Sequence, residues 1–185
     1  MDNKPVILIA AAVIISLFII GGSYNSLNSA KIEVETQYGQ IENQIQRRAD
    51  LIPNLVSTVK GYMQHEEKIL TEVTEARTKI LNAGTPDAKN AADSELTAAL
   101  GRLIAVSENY PTLKADTHFT ELMREIAGSE NRIAVARKDY NSAVRDYNLA
   151  VQNFPGNIFA KIFGFQPMNQ FAADEGAHAV PQVNF

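Results

Sequence analysis

From Val34 onward, apolar side chains return in alternating steps of four and three: Val34, Tyr38, Ile41, Ile45, Ile52, Leu55, Val59, Tyr62, Ile69, Val73, Ala76 and Ile80, with Arg48 and Glu66 as the two charged members of the stripe. A seven-residue repeat of this kind belongs to a helix packed in a bundle or coiled coil. Its phase runs through Pro53, so the spacing predicts one long helix that kinks at Pro53 and stops at Asn82-Ala83-Gly84-Thr85-Pro86, where glycine and proline punctuate a turn. A second helix is predicted over Asp87 to Asn109, interrupted by Tyr110-Pro111. A third starts at Asp116 or Thr117, each a suitable N-cap, and carries Phe119, Leu122, Ile126, Glu130, Ile133, Arg137, Tyr140, Val144, Tyr147, Val151 and Phe154 before Pro155-Gly156 ends it. A short apolar helix from Asn157 to Phe165 follows, then a tail with Pro167, Gly176 and Pro181. Alternation is confined to Val180 to Phe185, too short to build a sheet.

At the N-terminus the pattern is continuous instead of periodic. Val6 to Ile20 (VILIAAAVIISLFII) has Ser16 as its one polar residue, and with its flanks it reaches the lower length limit of a membrane-crossing helix. No A-x-A cleavage site lies near its end, so an uncleaved anchor is expected over a signal peptide, with the lipid bilayer as partner of Val6 to Ile20. Lys4 and the terminal amine precede the run, while Lys31, Glu33 and Glu35 follow it. This count favours a cytoplasmic N-terminus and a body outside the cytoplasm. The expected fold is all-α: residues 1–23 as anchor, 24–155 as a long-helix antiparallel or coiled-coil-like bundle, and 156–185 as a short helix with an extended tail.

Length then suggests assembly. A first helix of about 58 residues beyond the membrane extends roughly 87 Å, whereas a second of about 23 residues returns only roughly 35 Å. If the third helix turns upward at Pro111, the stripe from Tyr24 to Ser57 has no helix of its own chain beside it, so homo-oligomerisation through Ile41 and Ile45 is expected, with the C-terminal tail as a second cover. Folding back of the third helix at Gly128-Ser129, giving a four-helix monomer, is the alternative.

Composition narrows the chemistry. The chain has 185 residues, no cysteine and no tryptophan, which removes disulfides, thiolate catalysis and Cys-ligated metal sites. Its net charge of -4, with acids and bases interspersed, argues against nucleic acid as a partner. His65-Glu66-Glu67 begins like the zinc-protease motif H-E-x-x-H, but position 69 is Ile. His118 and His178 sit beside polar or turn residues and are expected in solvent. Phosphate-binding glycine loops and the nucleophile elbow are absent, and Asp93 and Glu95 read as ordinary surface carboxylates. No catalytic, cofactor or metal site is expected. Arg48, Glu66, Glu130 and Arg137 stand out, since a charge on an apolar seam costs several kcal/mol unless paired. Such pairs set register between helices, and the competing reading is that the long side chains snorkel outward. Arg47-Arg48-Ala49-Asp50 forms a charge cluster ahead of Pro53.

Two stretches carry a family likeness: Gln44 to Glu66 (QIQRRADLIPNLVSTVKGYMQHE) and Gly128 to Pro155 (GSENRIAVARKDYNSAVRDYNLAVQNFP). Together with Tyr110-Pro111-Thr112-Leu113-Lys114-Ala115 and Phe163-Gly164-Phe165, they closely resemble the signature segments of the LemA family of bacterial membrane proteins. The resemblance implies one N-terminal transmembrane helix, an antiparallel helical bundle, no recognised catalytic site and association with envelope processes, in some genomes near membrane metallopeptidases. It also implies a cytoplasmic body, opposite to the charge count. The matching positions Arg47, Arg48, Asp50, Pro53, Tyr62 and His65, and Glu130, Asn131, Arg132, Arg137, Tyr140 and Asn141, are candidates for helix packing and polar register. The functional expectation is a non-enzymatic scaffold that self-assembles at the bacterial inner (cell) membrane. The alternative is an adaptor that binds another membrane protein, such as an envelope metallopeptidase, through polar helix faces or the tail ending in Phe185.

Overall fold

The structure is a computed structural model that describes residues 4–63 and 65–171. Its elements are α1 (Lys4–Lys60), α2 (Glu67–Asn82), α3 (Pro86–Ser107), α4 (Pro111–Lys114), α5 (Thr117–Gln152) and α6 (Gly156–Phe163), with no strand among the described residues. The protein is all-α, as the periodicity predicts. The chain divides into two compact units, one of Gly39–Ala136 and one of Met1–Tyr38 with Arg137–Phe185.

In the Gly39–Ala136 unit, α2 runs antiparallel to α1, since the Arg77 guanidinium Nε donates to the Ala49 carbonyl at 3.0 Å. Helix α3 returns parallel to α1, with Lys89 Nζ 2.6 Å from Glu42 Oε1. The first half of α5 then descends along α1, tied by the Tyr62 hydroxyl to Asp116 (2.8 Å) at the top and by Arg132 Nε to Gln44 Oε1 (3.0 Å) lower down. These four helices bury Ile41, Ile45, Ile52, Leu55, Val59, Val73, Leu96, Leu103, Leu113 and Ile133. Local signals set the ends. Thr85 caps α3 by accepting from the Ala88 N–H, with Pro86 in the first turn. Asp116 caps α5 by accepting from the Phe119 N–H at 2.9 Å.

Two expectations are corrected. The first helix ends at Lys60, not Asn82; Pro53 lies inside α1 and does not end it, and Gly61, Tyr62 and His65 lie in turns before α2. Glycine weakens helix there. The heptad phase survives because α1 and α2 bury their stripes against one shared core, so the repeat records the buried face without registering that the chain has reversed. Second, the stripe is not left bare: Ile41 and Ile45 are each 1% exposed, covered by helices of the same chain. Helix α5 does so without folding back at Gly128-Ser129, where Ser129 is buried and its hydroxyl donates to the Glu125 carbonyl.

In the other unit, Leu27 and Val34 of α1 pack with Val144, Tyr147 and Val151 of α5 and Ala160 of α6, flanked by Ala30, Tyr140, Phe159, Phe165 and Met168. The turn into α6 has no room for a side chain at Gly156, where a Cβ would run into the Ala150 carbonyl. Gly164, at φ 76°, ends α6 in the left-handed conformation that favours glycine. Beyond it, residues 165–171 are extended along α5. The Val180 to Phe185 ending lies outside the described residues.

Candidate functional site

The seam charge Arg48 is 3% exposed at its side chain. Its Nη1 lies 3.1 Å from Oδ1 of Asp93, whose side chain is 1% exposed, and pairs with Glu130, which is 39% exposed. The Thr97 hydroxyl completes the cluster, accepting from Arg48 Nη1 at 3.0 Å. Three helices, α1, α3 and α5, are thus joined at one guanidinium. A paired, buried charge of this kind fixes register more than it adds stability, because desolvation offsets most of the Coulombic gain. Arg48 Nε has no hydrogen-bond partner, so the desolvation of the guanidinium is incompletely compensated.

Around this cluster the two signature segments meet. Arg47 pairs with Glu125, and Arg132 lies 3.7 Å from the same carboxylate while donating to Gln44. Asp50 accepts from Gln46 within α1, while Pro53 and Asn131 lie on the exposed surface. At the other end of the bundle, Tyr62 donates to Asp116 and Tyr110 donates to Glu66 at 3.2 Å. The Phe119 N–H first, then the Tyr62 hydroxyl, hold the Asp116 carboxyl below its usual value. Burial first, then the Glu66 carboxylate, hold the Tyr110 hydroxyl above its usual value. His65 and Glu66 lie in the turn before α2, not on a helix as the zinc-protease comparison assumes, and His65 is exposed. His118 is exposed and lines an open groove with Asn54, Ser57, Glu121 and Glu125. Among the described residues no group of three or more histidines and carboxylates is placed to hold a metal ion.

The second polar arrangement belongs to the other unit. Asn148 donates to the Met168 carbonyl and accepts from the Met168 N–H, both at 2.8 Å. Asn141 grips Phe171 the same way, at 3.0 and 2.8 Å. The Tyr147 hydroxyl donates to the Gln166 carbonyl at 2.9 Å, and Tyr140 reaches the Asn169 carbonyl at 3.4 Å. The two asparagines are two helical turns apart, about 10.5 Å of rise, and the residues they hold are three apart in an extended chain, about 10 Å. Helix and segment thus match in step, and each carboxamide stands in for the backbone partner that a neighbouring strand would supply. Tyr38, Tyr140 and Phe171 cluster at the far end, with centroids 4.7 to 6.5 Å apart, Tyr38 edge-on to Tyr140 and stacked on Phe171. Helix register accounts for Asn141 poorly; its partner is the C-terminal segment. Arg137 is half-buried in this unit, and Phe185 lies outside the described residues.

Sequence reasoning missed Asp93 as the buried partner of Arg48 and Asn148 as a holder of the segment over 165–171. Asp93 lies one turn before Leu96 on the buried face of α3, so its place on that stripe is a signal of burial. Asn141 and Asn148 stand at heptad spacing, but their target has no periodicity of its own to single the pair out.

The third feature is apolar. By length and composition α1 is able to cross a membrane, and the large apolar side chains described from Leu8 to Ile20 are all exposed.

Residues 37–185 match the model of the LemA family. Two magnetosome proteins named MamQ, from Paramagnetospirillum magneticum, are each 29% identical over 174 residues, covering 80% of this chain and 64% of their own length. A protein named LemA, from Metamycoplasma hominis, is 24% identical over 159 residues, covering 85% of this chain and 73% of its own. The chain therefore spans a little under two thirds of those two MamQ relatives.

Proposed function

The chain belongs to the LemA family, and from that premise we propose that it is a non-enzymatic scaffold anchored in the bacterial cell membrane by α1, self-associating there and presenting its helical bundle to other envelope components. The observation that carries this reading is the exposed apolar run from Leu8 to Ile20 on the helix that also supplies the central stripe of the bundle. Anchor and body are one element. The names of the relatives state no reaction, and the most buried ion pairs are spent on joining helices, which supports a structural role.

Because Ile41 and Ile45 are covered within the chain, self-association on this reading runs through the anchor and the outer faces of the bundle. Light scattering on the detergent-solubilised full-length protein tests it. A mass of several chains supports the scaffold, and a monomer removes it. The closed stripe also favours the second reading, an adaptor for another membrane protein, because a body whose described heptad positions Ile41, Ile45, Ile52 and Leu55 are covered has less need for copies of itself. A full-length monomer that co-purifies with a defined membrane protein would select the adaptor. A single cysteine replacing exposed Asp139, in a chain that otherwise has none, reports the side of the body. Labelling by an impermeant maleimide in intact cells places the body outside, as the charge count favours, and protection places it in the cytoplasm.

A further inference from the structure

The unit that contains the anchor has a second exposed apolar surface, and its position bears on what covers it. Helix α6 turns Ala160 and Phe159 toward the core but leaves Ile158 and Ile162 49% and 68% exposed, one turn apart on the outer face. Phe154, just before the helix, is 80% exposed, and Leu149 of α5 is exposed beside it. This face is inverted for a water-soluble helix, whose outer positions are polar. It is continuous with the anchor: Phe18, Ile19 and Gly22 of α1 line one concavity with Leu149, Phe154, Pro155 and Gly156. At the other end of α6, Phe163 and Phe165 pack on Tyr24, with centroids at 5.0 and 5.9 Å.

The stretch from Phe154 to Met168 (FPGNIFAKIFGFQPM) carries a single charge, Lys161, which is exposed, in a chain whose net charge is -4. Aromatic rings, aliphatic anchors and a lone lysine, set where a membrane-crossing helix leaves its apolar run, are the composition of a helix lying in the headgroup layer. The apolar face enters the acyl boundary, and the lysine extends to anionic phosphates.

We propose that α6 and the preceding Phe154 form an interfacial membrane-contact site, with Phe154, Ile158 and Ile162 inserted at the acyl boundary of the same bilayer that α1 crosses. The site rests on the reading of α1 as a membrane anchor. Bound in this way, α6 gives the chain a hold on the membrane in addition to α1.

The absence of tryptophan makes the test direct. Three full-length variants, each with one tryptophan, are reconstituted in vesicles of phosphatidylcholine and phosphatidylglycerol whose lipids carry bromine high or low on the acyl chains. Val13→Trp sits in the apolar run, Ile162→Trp on α6, and Asp139→Trp on exposed α5 near the Tyr38–Tyr140 contact. Ile162→Trp is expected to show blue-shifted emission and to lose more intensity to shallow than to deep bromine, Val13→Trp to lose most to deep bromine, and Asp139→Trp to keep its intensity. Quenching at Val13 with none at Ile162 overturns the α6 site and leaves the anchor. Blue-shifted but unquenched Ile162→Trp also overturns it, because protein then covers the face, either a second copy or the chain's own C-terminal residues. No quenching at Val13 overturns the anchor and the α6 site with it.

Discussion

At Arg48, a single guanidinium holds a buried carboxylate and a half-buried one from two other helices. Arg48→Met keeps the volume and leaves Asp93 buried without its cation, so urea denaturation in mild detergent should show a loss of about 3–5 kcal/mol. Replacing Arg48, Asp93 and Glu130 together with apolar residues should recover most of that loss, since no uncompensated charge remains. Asp116 makes a pH-dependent contribution. Its carboxyl titrates lower in the folded chain than in the unfolded one, so its contribution is fully present above the ordinary value of 3.8 and is lost as pH falls through the depressed folded value. Asp116→Asn, which still caps a helix but carries no charge, should flatten that part of the acid limb in denaturation midpoints measured from pH 2 to 6, lying below the parent at pH 6 and converging with it toward pH 2. Arg48 and Glu130 were legible as charges interrupting an apolar repeat. Asp93 was passed over, because a carboxylate on a helix rich in alanine and charge reads as surface, although its place one turn before Leu96 sets it on the buried stripe.

Among the elements, the extended segment after α6 depends on two side chains of α5. Asn141→Ala or Asn148→Ala each removes two hydrogen bonds to the segment's backbone, worth about 1 kcal/mol apiece. Hydrogen exchange should register this as lost protection at the Phe171 and Met168 amides respectively, while the buried stripe of α1 keeps its protection. Unchanged protection at both amides would show that aromatic packing of Phe165 and Phe171 holds the segment by itself. The helices were legible because packing faces repeat, and their caps because Thr85, Pro86 and Asp116 act on the nearest turn. The hairpin at Gly61 was hidden by the same repeat: two helices that share a core can keep one phase. The segment over 165–171 has no repeat, since its backbone is satisfied by side chains from far along the chain.

For the whole protein, closure of the stripe changes what its mutation reports. Exposed, Ile45→Glu would dissociate an assembly and leave the chain folded. Buried at 1% exposure, it places an unpaired charge among Ile41, Ile52 and their neighbours, so circular dichroism and urea midpoints should show unfolding or a loss of several kcal/mol. A folded protein of reduced mass would instead reinstate the interface between copies. Likewise a chain beginning near Lys60 lacks the helix on which α2, α3 and α5 pack, and is expected not to fold.

The sequence by itself determined the all-α class, the apolar N-terminal helix, the buried faces and most helix ends, because each follows from side chains within a few turns of one another. Likeness of the signature segments placed the chain in its family on the same local information. Tertiary structure decided which elements cover the stripe, where Arg48 finds its carboxylates, what Asn141 and Asn148 hold, and that α6 turns an apolar face outward. These outcomes depend on which distant segments meet, and periodicity specifies the face a helix must bury without specifying against what.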